Sequence, residues 1–368
     1  MRILLASALM ALLAACASNE RPKPAPLAPN VPLLGVRTAW TGAIGAVDFP
    51  LDIRVVEKRA YLASSAGTVV ALDGETGADI WRTKLDTGLS AGVGSDGRHT
   101  AVVGNNNELI VLDGAQPAWR QKLKVLTLTA PLVAGGRVFT LSTDRTVSAF
   151  DADTGQRLWQ QQRTGEALVL GQSGLLTAVG DTLVVGYGGR VAGLNPLTGA
   201  SRWETTVVSP RGTNEVERLV DVVAGYSREG SQICVRAFQY AVACVDAANG
   251  RLLWSKAANG STGVAGDATM VYGTESDGRL SAWNRKDGEK AWTLDRYRFR
   301  TLGTPLVAGR SLIVGDDSGN LHVLAKTDGA PMNRISTDDS GLFVAPELAG
   351  KTLLLVSRRG TVYALRPE

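Results

Sequence analysis

The chain is poor in the residues that usually carry chemistry. Its 368 residues include 2 histidines, 3 cysteines and 4 methionines. His99 lies in a turn-like run, Ser-Asp-Gly-Arg-His-Thr, and His322 in an alternating run, Gly-Asn-Leu-His-Val-Leu-Ala. Neither has metal-ligand spacing around it, so both are expected to be structural and no metal is expected. Cys-x-x-Cys, Gly-x-Ser-x-Gly, P-loop and His-Glu-x-x-His motifs are all missing, which removes the sequence signs of thiol redox, serine hydrolase, nucleotide and zinc-protease chemistry. Asp151-Ala152-Asp153-Thr154-Gly155 lacks the rest of a calcium loop and reads as a turn. The net charge of +4 is small beside 39 basic and 35 acidic residues, and no basic run is interleaved with aromatics. Nucleic acid is therefore not an expected partner. No helical period stands out past residue 20.

What the chain does have is a repeat. Gly67–Trp81 reads GTVVALDGETGADIW. It returns as RTVSAFDADTGQRLW ending at Trp159, GRVAGLNPLTGASRW at Trp203, YAVACVDAANGRLLW at Trp254 and GRLSAWNRKDGEKAW at Trp292, with a shorter copy ending at Trp119. Each copy reads as strand, turn, strand. The Asp or Asn bonds nearby backbone N–H groups, and the following Gly accepts positive φ. A period of roughly 40 residues made of short strands predicts a β-propeller. The tryptophans are expected in the seams between blades.

A seventh copy has Asn333 at the tryptophan position, and an eighth begins at Gly360 and stops. The missing tryptophan stands at the other end, as Trp40, which precedes Trp81 by 41 residues. Pairing the two ends would remove an open sheet edge. The fold class predicted is all-β: an eight-bladed propeller of four-stranded antiparallel blades over 33–368, the last blade closed by the N-terminal strand.

Residues 1–15, MRILLASALMALLAA, read as a signal peptide, with Arg2 before an apolar run too short to span a bilayer as a mature helix. Leu13-Ala14-Ala15-Cys16 resembles the bacterial lipobox, in which the cysteine is acylated; the alternative is an ordinary cleavage site. The absence of Asp at position 17 points to the outer membrane under the enteric sorting rule. Pro22, Pro24, Pro26, Pro29 and Pro32 make 16–32 an expected extended, disordered tether. Cys234 and Cys244 flank Gln239; a hairpin centred there would oppose them across two strands, favouring a disulfide in an oxidising compartment over two buried thiols.

The repeat resembles that of quinoprotein dehydrogenases. Those enzymes, however, carry a vicinal cysteine pair, calcium ligands and a base, and no such set is visible here. Most steps between repeat tryptophans are regular, but Trp159 to Trp203 takes 44 residues and Trp203 to Trp254 takes 51. The surplus lies in loops, where rigid scaffolds place binding residues. One of these carries Asn214-Glu215-Val216-Glu217-Arg218-Leu219-Val220-Asp221. Together with the lipobox and the closing Gly360–Leu365 run, this chain resembles the BamB family, the propeller lipoproteins of the outer-membrane β-barrel assembly machinery.

The resemblance implies a non-enzymatic scaffold without cofactor. It would be lipid-anchored at Cys16 on the periplasmic face of the outer membrane and bind the POTRA domains of BamA within the BAM complex, with unfolded outer-membrane proteins as further candidate partners. The family's contact loops read Leu-x-Leu-Arg and Arg-Leu-x-Asp-x-Asp. Here they correspond to Leu168-Val169-Leu170, with Gly171 in place of Arg, and Arg218-Leu219-Val220-Asp221, with Val223 in place of the second Asp. Leu168, Leu170, Arg218 and Asp221 are thus the expected partner-binding residues. The alternative for the leucines is an inner strand facing the blade. Two other functions remain in view: a periplasmic propeller recognising a glycan or another envelope protein, and a degenerate quinoprotein dehydrogenase.

Overall fold

The computed structural model describes residues 22–163, 170–209, 213–214 and 219–368. These form eight four-stranded antiparallel sheets. Blades 1 to 7 are contiguous in sequence: 54–84, 89–122, 132–162, 176–206, 227–257, 264–294 and 306–336. Blade 8 pairs the strands within 347–367 with Val36–Ala43 as its fourth strand. Val36 opposes Pro367, and Trp40 opposes Ala364. The ends meet as the repeat predicts.

The first strands of neighbouring blades touch one another around the axis. The second and third strands are buried on both sides; Thr68–Asp73, for example, is closed from Val69 to Leu72. The fourth strands alternate exposed and half-buried, as at Asp79–Lys84. A blade sandwiched between two others has to be apolar on both faces, and only its outer edge meets water.

The seams explain the tryptophans. Trp119 Nε1 donates to Ala152 O at 2.7 Å, Trp159 to Pro196 O at 3.0 Å, Trp203 to Ala247 O at 3.0 Å and Trp254 to Arg285 O at 2.7 Å. Each acceptor lies in the third-to-fourth-strand turn of the next blade. Trp40 and Trp292 repeat the contact with Gly74 O and Lys326 O. Burying each ring contributes on the order of 2–3 kcal/mol. The residue opposite the ring on its own blade is mostly small: Ala71, Ala149, Gly193, Cys244, Ala282 and Ala364.

The turns are Asx turns. Asp151 Oδ1 accepts from Thr154 N at 2.8 Å and Thr154 Oγ1 at 2.8 Å, and these bonds hold its carboxyl below the usual range. Gly155 adopts φ +72°, and a Cβ there would lie 2.6 Å from the Trp119 ring.

Residues 16–21 of the expected tether lie outside the described residues, as does the expected signal peptide 1–15; residues 22–32 are not free of the propeller. Ala25 N donates to Arg298 O at 2.9 Å, Arg334 donates to Ala28 O at 3.0 Å, and Leu33 N donates to Met332 O at 2.7 Å. Leu27 packs against the core of blades 6 and 7. The segment is extended, but it is bound along the outer edge of blade 7. Proline composition disfavours regular structure; it does not prevent docking on an edge that offers carbonyls and an apolar seam.

Candidate partner-binding site

The propeller has two unlike faces. One carries short turns between first and second and between third and fourth strands. The other carries the loops that pass from the outer strand of one blade to the inner strand of the next. The described parts of both long insertions, 170–175 and 207–209 with 219–226, lie on this loop face.

Cys16, Leu168 and Arg218 fall outside the described residues. Leu170 and Asp221 are brought together. Asp221 Oδ2 accepts from Leu170 N at 3.2 Å, and its Oδ1 accepts from Gly188 N at 2.7 Å. Its backbone carbonyl accepts from Phe238 N at 2.9 Å. One carboxylate therefore ties the two insertions to each other and to a turn of blade 4. Three hydrogen bonds on a half-buried residue make it an organiser of loop shape.

Leu170 is half-buried in a loop, not in a strand: the inner strand of blade 4 begins at Leu176. It lines a cleft of about 40 Å³ with Leu128, Leu141, Tyr187 and Val222. Val220, Val222 and Val223 are buried. Val223 bridges Gly174, so the position where the family has a second Asp faces inward here. Gly171 has open space where a Cβ would project. Below the cleft, Tyr187 donates to Glu204 Oε2 at 2.6 Å. Burial, with this bond, pushes the phenol's ionisation up, while the same bond lowers the Glu204 carboxyl.

At the centre of the loop face is a cavity of about 450 Å³, whose rim includes Phe49, Leu302, Phe343 and Val344. Asp52, which lines this cavity, interacts with a second carboxyl group, that of Glu347. Burial pushes Glu347 up to about 7, with the Asp52 charge adding to the rise and Arg54 opposing it. Burial likewise raises Asp52 to about 6, with Arg54 opposing the rise. Sequence reading missed this pair, since Asp52 and Glu347 lie 295 residues apart. Both histidines are structural: His322 Nε2 meets Asp316 Oδ2 at 2.9 Å, and His99 Nε2 meets Asp153 Oδ1 at 3.2 Å. Cys234 and Cys244 stand opposite each other and are joined by a disulfide.

These features define a class: a closed eight-bladed propeller of quinoprotein-type repeats, elaborated on one face. Residues 65–294 match the family described as outer membrane protein assembly factor BamB. The chain is 37% identical over 369 residues to the outer membrane protein assembly factor BamB of Burkholderia pseudomallei, covering 98% of this chain and 97% of that one. The crystal structure of BamB from Moraxella catarrhalis has a TM-score of 0.81 at 23% identity, covering 90% of this chain and 100% of that one. A quinohemoprotein alcohol dehydrogenase from Comamonas testosteroni shares the propeller, with a TM-score of 0.68 at 16% identity over 90% of this chain and 76% of its own. The chain belongs to the BamB family.

Proposed function

We propose that this protein is a non-enzymatic scaffold of the outer-membrane β-barrel assembly machinery. Acylated Cys16 anchors it to the periplasmic face of the outer membrane. The two insertions of the loop face bind the periplasmic POTRA domains of BamA. The observation that carries the reading is the relatedness along 98% of the chain to a protein named as an assembly factor. The Asp221 clasp supports the placement of the site, because it holds both insertions as one surface. In this reading Leu170 and Leu168 supply the apolar anchor, and Asp221 acts through loop shape. Arg218 supplies a polar contact from the same insertion.

The test is co-purification of the lipidated chain with BamA from gentle detergent extracts. BamA is expected with the parent and lost when Leu168 and Leu170 are both replaced by Glu, with circular dichroism unchanged. Extracts lacking BamA but containing another envelope protein would overturn the reading, as would capture that ignores both substitutions. A quinone absorbance in the purified protein would favour the dehydrogenase reading instead.

A further inference from the structure

We propose that the loop 295–301, between blades 6 and 7, is a membrane contact that seats on anionic phospholipid headgroups. The inference rests on the lipid-anchor reading for its geometry, and on the loop itself for its chemistry.

The geometry comes from the docked N-terminal segment. It runs opposite to the outer strand Pro331–Ser336, with Leu33 bonded to Met332 and Ala25 bonded to Arg298. Met332 lies near the turn face, and Arg298 belongs to a loop on the loop face. The chain preceding Ala25 therefore leaves the blade at the loop face, beside 295–301. Arg300 fixes that exit, donating to Ala25 O from Nε at 3.2 Å and from Nη2 at 3.0 Å. Between the acylation candidate Cys16 and this clamp lie few residues, and at about 3.3–3.6 Å per extended residue they reach roughly 30 Å at most. A tether bound only at Val36 would allow twice that reach and any orientation. The clamp brings one sector of one face toward the bilayer.

The chemistry of that sector suits a headgroup layer. The loop reads Asp295-Arg296-Tyr297-Arg298-Phe299-Arg300-Thr301. Phe299 is 40% exposed, among the large apolar side chains left open to solvent. It holds φ +62°, a backbone state bulky residues rarely adopt, fixed by its N–H donating to Asp277 O at 2.7 Å. The Arg298 guanidinium lies 4.9 Å from the ring centroid. Arg296 is exposed and makes no ion pair among the described residues, and exposed Lys23 adds a third cation at the segment's exit. The acidic neighbours are Asp277, already paired with Arg279 at 2.9 Å, Asp295, which is exposed, and Asp317, whose Oδ2 accepts from Thr301 N at 3.3 Å. Asp316 is buried against His322 and Arg300. Basic side chains flanking an outward phenyl ring are the pattern of an interfacial contact, with the ring at the headgroup boundary and the cations on phosphates. The cations and the ring give a contact that binds anionic surfaces by itself, and the anchor raises its effective concentration there.

Two experiments decide it. In the first, the full chain with Cys16→Ser is sedimented with vesicles of equal phosphatidylglycerol and phosphatidylethanolamine, or of phosphatidylcholine alone. Binding is expected to the anionic vesicles only. It should fall about fivefold or more with Arg296→Glu plus Arg298→Glu, and fall in high salt. Equal binding by parent and double variant, or equal binding to both vesicles, overturns the proposal. In the second, the lipidated chain carries a fluorophore at Asp295→Cys, which leaves Phe299 and the arginines in place, or at Leu197→Cys on the turn face, and spin-labelled lipids serve as quencher. Quenching at 295 and not at 197 is expected; the reverse, or quenching at neither, overturns it. A chain with native Cys16 that fails to partition with membranes overturns the anchor reading alone, because the first experiment does not use the anchor.

Discussion

Asn333 Nδ2 donates to the carbonyl oxygen of Leu34 at 2.8 Å. Six repeat tryptophans donate to the third-to-fourth-strand turn of the next blade. Blade 8 has no such turn, because its third strand, Thr361–Pro367, and its fourth, Val36–Ala43, are not joined in sequence. Residues 33–35 and 368 occupy the turn's place, with Glu368 N donating to Gly35 O at 3.1 Å. The one repeat position without an indole is the one facing the one missing turn. Asn333 keeps the hydrogen bond and leaves room for the segment that would otherwise collide with a ring. Asn30 Nδ2 completes the join, donating to Asn333 Oδ1 at 3.1 Å.

Replacing Asn333 with Ala removes its side-chain bonds to Leu34 O, Asn30 Nδ2 and Arg334 N. The expected cost is about 1–2 kcal/mol, with faster limited proteolysis within residues 22–34 than in the parent. Urea midpoints and mass spectrometry of the first fragments check both. Unchanged cleavage would mean that the segment is held without Asn333.

Gly155 and Gly135 separate backbone strain from packing. Both have positive φ, +72° and +58°, but a Cβ at Gly135 meets nothing within 4 Å. Gly135→Ala is expected to cost about 1 kcal/mol, the left-handed penalty alone. Gly155→Ala adds a clash with Trp119 and is expected to cost about 2–4 kcal/mol. Thermal unfolding of the two variants measures the difference; equal costs would remove the ring contact from the explanation.

Cys234 and Cys244 close a short loop within blade 5, with a sequence separation of 10. Replacing both with Ala is expected to cost about 2–3 kcal/mol by the chain-entropy account. Because Cys244 lies opposite Trp254, the double variant also tests the small-residue site under that ring. Reduction of the parent, which keeps the side-chain volume, should show the cross-link's share alone.

Glu347 gives a pH dependence with a definite sign. Its carboxyl is raised to about 7 in the folded chain, chiefly by burial. A raised acid binds its proton more tightly when folded. The resulting stability is complete below the ordinary glutamate range and is lost as pH rises through 7. Asp52, raised to about 6, acts in the same sense within the same window. Between pH 5 and 8 the parent is expected to lose on the order of 1–2 kcal/mol from the pair, and Glu347→Gln is expected to keep only the shallower slope that Asp52 supplies. Asp338, held down to about 2, acts in the opposite sense and only in acid, so it leaves this window clear. Urea midpoints at the two pH values read the slope; a steeper slope in the variant would contradict the assignment.

Much of the fold was legible because it is local. An Asx-Gly turn is written in adjacent residues, as at Asp151 and Gly155, and its recurrence at a fixed period counts the blades. The displaced Trp40 revealed the closure because it completes the register of the other copies. The candidate site was half legible. Surplus length located both insertions, but length does not tell which polar atom turns inward. Asp221 reads like a contact residue in sequence, and its carboxylate is engaged by Leu170 and Gly188. The docked N-terminal segment was hidden for a related reason. Its partners, from Arg298 to Arg334, lie about 270 or more residues away, and nothing in a proline-rich run announces an edge that will receive it.

The pairing of Val36–Ala43 with Thr361–Pro367 has a temporal consequence. Synthesis delivers the first strand of this pair before any of the seven contiguous blades and the second after all of them. Until then the growing sheet has a raw edge at each end, and no single blade can be checked against a finished ring. The molecule becomes one cooperative object only once Thr361–Pro367 is in place. Cut and rejoined elsewhere, with the old ends fused, the same blades would form a circular permutant with its vulnerable moment moved to a new pair of strands.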